Sequence, residues 1–161
     1  MAPVEVVEAD LSRPDHQEAV VSLVDAYARD PMGGGEPLSA EARGGLIPGL
    51  RAHPTTLVFL AYLGGRAVGV AVCFLGFSTF AAKPLVNVHD LGVLPECRGR
   101  GVGRLLLGAV ERRARALGCC KLTLEVLENN RPARALYESV GFAPLTYQES
   151  AGGALFLSKK L

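Results

Sequence analysis

The sequence predicts one α/β domain built around a mixed β-sheet, and three observations carry that reading. Two β-rich runs, Thr55 to Leu63 and Arg66 to Phe77, are separated by Gly64-Gly65, the form of a tight antiparallel hairpin. A third run, Leu85 to Val93, passes through Pro95 and a glycine-rich turn into a long helix from about Gly101 to Leu117. Lys121 to Leu127 then alternates, Leu122, Leu124 and Val126 on one face and Thr123 and Glu125 on the other, which completes a β-α-β unit with a right-handed crossover.

The remaining elements follow in chain order. Ala19, Val20, Leu23, Val24 and Tyr27 recur at helical spacing between Pro14 and Arg29, and Asp30-Pro31-Met32-Gly33-Gly34-Gly35 ends that helix in a loop. A weaker helix runs from Ser39, a cap candidate, to about Arg51; Gly44 and Gly45 lower its propensity and His53-Pro54 ends it. The long helix stops at Gly118. Asn130 can cap a further helix with Pro132 in its first turn, and Gly141-Phe142 has the form of a left-handed C-terminal cap with its apolar contact. A short segment, Phe142 to Tyr147, and a last strand, Ala154 to Ser158, are expected to flank Gly152-Gly153. Without repeats, linkers or low-complexity tracts, residues 1–161 read as a single domain.

Composition narrows the function classes. Lys and Arg number 17 against 16 for Asp and Glu, so no net field of either sign draws the chain to nucleic acid or to a membrane surface. The start, Met1-Ala-Pro-Val-Glu-Val-Val-Glu, has neither a basic leader nor a long apolar run, and no segment reaches the roughly 20 apolar residues that span a bilayer. A cytoplasmic protein is expected. Cys73, Cys97, Cys119 and Cys120 form no C-x-x-C pair and have too few histidines nearby for zinc, so they read as small core or surface residues in a reducing compartment, and no metal is expected.

The chemistry concentrates in Arg98-Gly99-Arg100-Gly101-Val102-Gly103-Arg104, between a strand and a helix N-terminus. There, unpaired backbone amides and the positive end of the helix dipole converge, glycines let a pyrophosphate approach, and arginines add charge-assisted donors. A phosphate-bearing ligand is the natural inference; a tight turn with exposed arginines is the plain alternative. A Walker loop is absent, because no Lys follows the glycines. A dinucleotide G-x-G-x-x-G fails as well, because Arg104 stands where the third glycine belongs.

Arg98-x-x-Gly101-x-Gly103, preceded by Leu91-Gly92-Val93-Leu94-Pro95, resembles the acyl-CoA motif of the GCN5-related N-acetyltransferase (GNAT) superfamily. A second signature follows in order: Asn130-Arg131-Pro132-Ala133-Arg134-Ala135-Leu136-Tyr137-Glu138-Ser139-Val140-Gly141-Phe142 matches the family's N-x-x-A-x-x-L-Y-x-x-x-G-F at every fixed position. The likeness is closest from about Val86 to Phe142. It implies a mostly antiparallel central sheet with a parallel acyl-CoA-binding β-α-β unit, helices on both faces, acetyl-CoA as cosubstrate, and a homodimer. It also implies that the amides of residues Arg98 to Arg104 hold the CoA pyrophosphate, that Val93 and its neighbours pair with the pantetheine arm, and that Asn130 contacts that arm.

The implied reaction is direct attack of an amine on the thioester through a tetrahedral intermediate. By the same resemblance the Leu91 amide is the oxyanion donor, and Tyr137, near the cofactor, is the acid that protonates the leaving thiolate. A phenol of pKa about 10 suits a thiol of about 8.5; the plain alternative is a core tyrosine, since Ala133, Leu136, Tyr137 and Val140 form an apolar helical stripe. For the proton of the incoming ammonium, His89 and Asp90 are the candidates. Strict alternation puts them on opposite faces, His89 with Leu91 and Val93, and a reference pKa near 6.5 favours His89 as base. A buried, backbone-satisfied histidine or a water chain would leave that role empty. The loops Pro31 to Pro37 and Gly76 to Pro84 are expected to border the acceptor, whose identity, small-molecule or protein amine, the residues leave open. The alternative from another class is a non-catalytic acyl-CoA-binding or sensing module of the same fold.

Overall fold

In the computed structural model, which describes residues 2–161, five strands form one sheet in the order β1-β2-β3-β4-β5. The chain runs β1 (Val4–Glu8), α1 (Pro14–Arg29), α2 (Ala40–Ala52), β2 (Thr56–Leu63), β3 (Arg66–Ser78), β4 (Lys83–Val93), α3 (Val102–Ala116), β5 (Leu122–Leu124) and α4 (Arg131–Ser139). Strands β1 to β4 pair antiparallel with their neighbours, and β5 lies parallel to β4. The turn between β2 and β3 places Gly64 and Gly65 at φ of 57° and 79°, the double left-handed conformation that suits a two-residue hairpin.

Residues up to Leu124 form one compact unit, and Glu125–Leu161 form a second. In the first unit, α1 and α2 cover one face of the sheet, with Val20, Leu23, Val24 and Leu50 packed on Val58, Leu60, Val70 and Val72. Helix α3 covers the other face and buries Val102, Leu106, Leu107 and Val110. A Cβ at Gly69 would lie 3.0 Å from both Leu106 Cδ1 and Val102 Cγ1, so the absence of a side chain lets the first turn of α3 rest directly on β3.

Helix ends follow the predicted chemistry. Ser39 caps α2 by accepting from the Ala42 amide at 3.0 Å. In the second unit, Asn130 caps α4 by accepting from the Ala133 amide at 3.3 Å. At its far end the Phe142 amide donates to the Tyr137 carbonyl and the Gly141 amide to that of Glu138, with Gly141 at φ 99°. The Tyr137 and Phe142 rings meet edge-on at 5.8 Å, the apolar contact that completes a Schellman cap.

Three expectations change. Val4–Glu8 is a strand that the sequence reading did not name; it is an edge held by pairing with β2. Strand β5 covers Leu122–Leu124 and not the full run from Lys121 to Leu127. The last strand expected at Ala154 to Ser158 is not one: the Ala154 amide donates to the Leu145 carbonyl, and Leu155, Phe156 and Leu157 are exposed. A short apolar run such as Leu155-Phe156-Leu157 can suggest a strand, but a strand needs a partner ladder and one such bond is not a ladder.

Leu60 is fully buried where both helices meet the sheet. Leu60→Ala should cost about 3 kcal/mol through lost transfer energy and the cavity left behind. Chemical denaturation would register that loss as a lower midpoint at unchanged slope.

Candidate active site

Strand β4 outruns its parallel neighbour. Val86, Asn87 and Val88 pair with Leu122, Thr123 and Leu124, and β5 ends there, while β4 continues to Val93. The Asn87 amide group clasps β5 at the last paired turn, donating to the Thr123 hydroxyl at 3.1 Å. Among the described residues no strand pairs with that edge of β4 beyond Val88.

At the same point β4 carries a bulge. Opposite β3, Val88 pairs with Cys73 and Asp90 with Val72, so His89 is an extra residue. The bulge shifts the phase of the backbone. Before it, the Val86 amide donates to the Lys121 carbonyl and faces β5; after it, the Leu94 amide donates to the Val68 carbonyl and faces β3. Backbone groups alternate along a strand, so those of Leu91 and Val93 point to the edge that β5 has left.

The bulge also corrects the expected facing of the two base candidates. The His89 ring lies edge-on 5.6 Å from Phe74, which packs on the α1–α2 core. Asp90 pairs with Val72 of the same core. The two therefore share a face, and His89 does not share one with Leu91, which pairs with Ala71, or Val93, which pairs with Gly69 on the α3 side. His89 is exposed and Asp90 half-buried. Burial raises the Asp90 carboxyl above its usual range, and the neighbouring His89 opposes that rise. Beneath, burial and the Asp90 charge push the Cys73 thiol up to about 12, which keeps it protonated and unreactive.

Beyond β4, Gly99 and Gly101 adopt φ of 74° and 79°, and Gly101 is the left-handed residue that opens α3. A Cβ at either would meet nothing within 4 Å, so conformation, not crowding, calls for glycine, and the space before the turn is open. The amides of Val102 and Gly103 stand at the opening of α3, ahead of the bond that the Leu105 amide donates to the Gly101 carbonyl. Arg100 is exposed beside them. Arg98 turns back instead: its Nε donates to the Val93 carbonyl at 3.0 Å, and its Nη2 to Asp30 Oδ2 at 2.6 Å.

A pocket at this end of β4 is lined by Leu23, Tyr27, Val93, Leu94, Pro95 and Arg98, among others. Tyr27 lies across Gly92, where an added Cβ would come within 3.1 Å of the tyrosine Cβ. Burial, then the charges of Asp90 and Asp30, raise the Tyr27 phenol. Tyr27 and Asp30 escaped the sequence reading. Tyr27 was legible only as one member of a helical stripe, and the partner of Asp30 lies 68 residues away.

The structure thus brings His89, Asp90, Leu91, Val93 and the segment Arg98 to Arg104 together along one strand and its exit turn. Asn130 and Tyr137 belong to the second unit, the first at the cap of α4 and the second half-buried in its last turn. Among the described residues no group of three or more His, Cys, Asp or Glu side chains could hold a metal ion, and no helix is long and apolar enough to cross a membrane.

Comparisons with known proteins agree with this architecture. The model of the Acetyltransferase (GNAT) family matches residues 20–142. The thialysine N-epsilon-acetyltransferase of Caenorhabditis elegans is 29% identical over 137 residues, 84% of this chain and 82% of that protein. An uncharacterized N-acetyltransferase of Bacillus subtilis (strain 168), YhfO, is 33% identical over 97 residues, 60% of this chain and 62% of its own length. The solved structure of a probable acetyltransferase superposes with a TM-score of 0.78 at 22% identity, covering 97% of this chain and 99% of that one. That of AAC(6')-Iy in complex with the bisubstrate analogue CoA-S-monomethyl-acetylneamine gives 0.77 at 18% identity, covering 99% and 100%. With a family match across most of its length and the fold to go with it, this chain belongs to the GNAT family of acetyltransferases.

Proposed function

We propose that residues 1–161 act as one acetyltransferase domain that moves the acetyl group of acetyl-CoA to a primary amine. The observation that carries the reading is the open edge of β4, with the backbone groups of Leu91 and Val93 directed to it and a glycine turn waiting at its end. The pantetheine arm adds to that edge as a further strand along Val93. Its pyrophosphate meets the amides of Arg98, Gly99, Arg100, Gly101, Val102, Gly103 and Arg104, where the α3 dipole favours negative charge. Asn130 contacts the arm.

In the transfer the amine nitrogen bonds to the thioester carbon, the carbonyl oxygen takes up negative charge, and the C–S bond then breaks. The Leu91 amide stabilises that oxygen, because a fixed dipole needs no reorganisation as charge develops. His89, exposed beside the open edge, accepts the ammonium proton, and Tyr137 gives its proton to the departing thiolate. The exposed Leu155, Phe156 and Leu157 favour a homodimer, an idea that a single-chain mass in sedimentation equilibrium would overturn.

A second reading, a non-catalytic acyl-CoA sensor of the same fold, is separated by CoA release in the presence of an amine panel. Release with any amine excludes it.

Titration calorimetry should show saturable acetyl-CoA binding, with ATP and NAD unable to substitute. Gly101→Glu, which places a side chain at positive φ and a negative charge before the turn, should abolish it; binding unaffected by that substitution would refute the site. Tyr137→Phe should retain acetyl-CoA binding while turnover falls by about 10²-fold or more, the scale of a lost general acid. Unchanged turnover across the pH range would remove Tyr137 from the mechanism.

A further inference from the structure

The loop after α1 and the turn before α3 are tied together by one carboxylate. Asp30 ends α1, its side chain only 13% exposed, and it serves both sides at once. Its Oδ2 accepts from Arg98 Nη2 at 2.6 Å, and its Oδ1 accepts from the Met32 amide at 2.9 Å. Its carbonyl accepts from the amides of Gly33 and Gly35 at 2.8 and 3.1 Å. The loop folds so tightly over the helix end that a Cβ at Gly33 would sit 2.0 Å from the Tyr27 carbonyl oxygen. At its other end the Leu38 amide donates to Asp25 Oδ1, whose second oxygen meets Arg29 and Arg43. The loop is therefore pinned at both ends, and one pin is a residue of the glycine turn.

We propose that Asp30 is a positioning residue for cofactor binding, holding Arg98 against the end of β4 so that the loop from Pro31 to Pro37 and the glycine turn respond to acetyl-CoA as one body. This rests on the reading that acetyl-CoA occupies the turn. Arg98 has a flexible side chain, half exposed. Left alone it would sample many rotamers, and ordering it would oppose binding. The carboxylate removes that cost beforehand. It stays ionised at neutral pH, because the Arg98 hydrogen bond and then the Met32 amide hold its carboxyl below the usual range. A ligand that fixes Arg98 consequently fixes Asp30, and with it the amides of Met32, Gly33 and Gly35.

Asp30→Asn keeps an oxygen for the Met32 amide and removes the charge facing Arg98. It should weaken acetyl-CoA binding about tenfold, within the usual range of coupling between sites. In an Arg98→Gln background the same substitution should have no further effect on binding, a non-additivity that assigns the loss to the pair. Hydrogen exchange on the native protein needs no variant: acetyl-CoA should slow exchange at Met32, Gly33 and Gly35 as well as in the turn. Protection confined to residues 99–104, with Asp30→Asn binding as tightly as the native protein, would overturn the coupling and leave the cofactor site standing. No binding of acetyl-CoA by the native protein would overturn both.

Discussion

Everything at the candidate site depends on the parting of β5 from β4 after Val88. A parallel strand pair that continued would satisfy every backbone group of β4 and leave nothing to bind with. By stopping the ladder, the protein exposes a row of donors and acceptors that is normally a hazard, because an unpaired edge recruits any extended chain. Here the edge is short, and the turn at its end restricts which partner can lie along it. The parting is held rather than loose, since Asn87 fastens β5 at the last paired residues.

Arg98 complements that geometry from below. Its Nε occupies the Val93 carbonyl, so the final acceptor on the open edge is already satisfied, while its other end reaches the α1 cap. A single arginine thus joins the strand, the turn and the first helix. Apolar packing sets α1 on the sheet, with Tyr27 across Gly92, and the directed bonds of Arg98 tie the turn to both. The same region shows how environment assigns chemical roles. Cys73 lies beneath the strand and is silenced by burial, whereas His89, displaced by the bulge, stands in solvent.

Much of this was legible in the sequence, for physical reasons. The Gly64-Gly65 hairpin, the caps at Ser39 and Asn130 and the left-handed Gly141 are encoded within a few residues, and local steric rules decide them. The glycine turn that opens α3 was legible because glycines and a helix start adjoin. What escaped depends on distant partners. The bulge at His89 has no glycine to announce it, so alternation mis-assigned the faces of His89 and Asp90. Strand β1 is a strand because β2 accepts it, and Ala154 to Ser158, with its apolar run Leu155-Phe156-Leu157, is not one. The ion pair from Asp30 to Arg98 joins residues 68 apart, and no local pattern marks it.

The extra residue in β4 also bears on how such a sequence can change over generations. Exchanging the side chain at position 89 alters an exposed ring beside Phe74 and leaves the strand's phase alone. Deleting the position would join the Val88–Cys73 pair directly to Asp90–Val72, making the ladder with β3 continuous while the backbone groups of Leu91 and Val93 still point to the open edge. The sheet would gain regularity and lose the exposed side chain that the bulge displays beside that edge. Position 89 is thus an insertion between two pairs that would be consecutive without it, and a change of residue or of length there leaves the pairing on both sides in place.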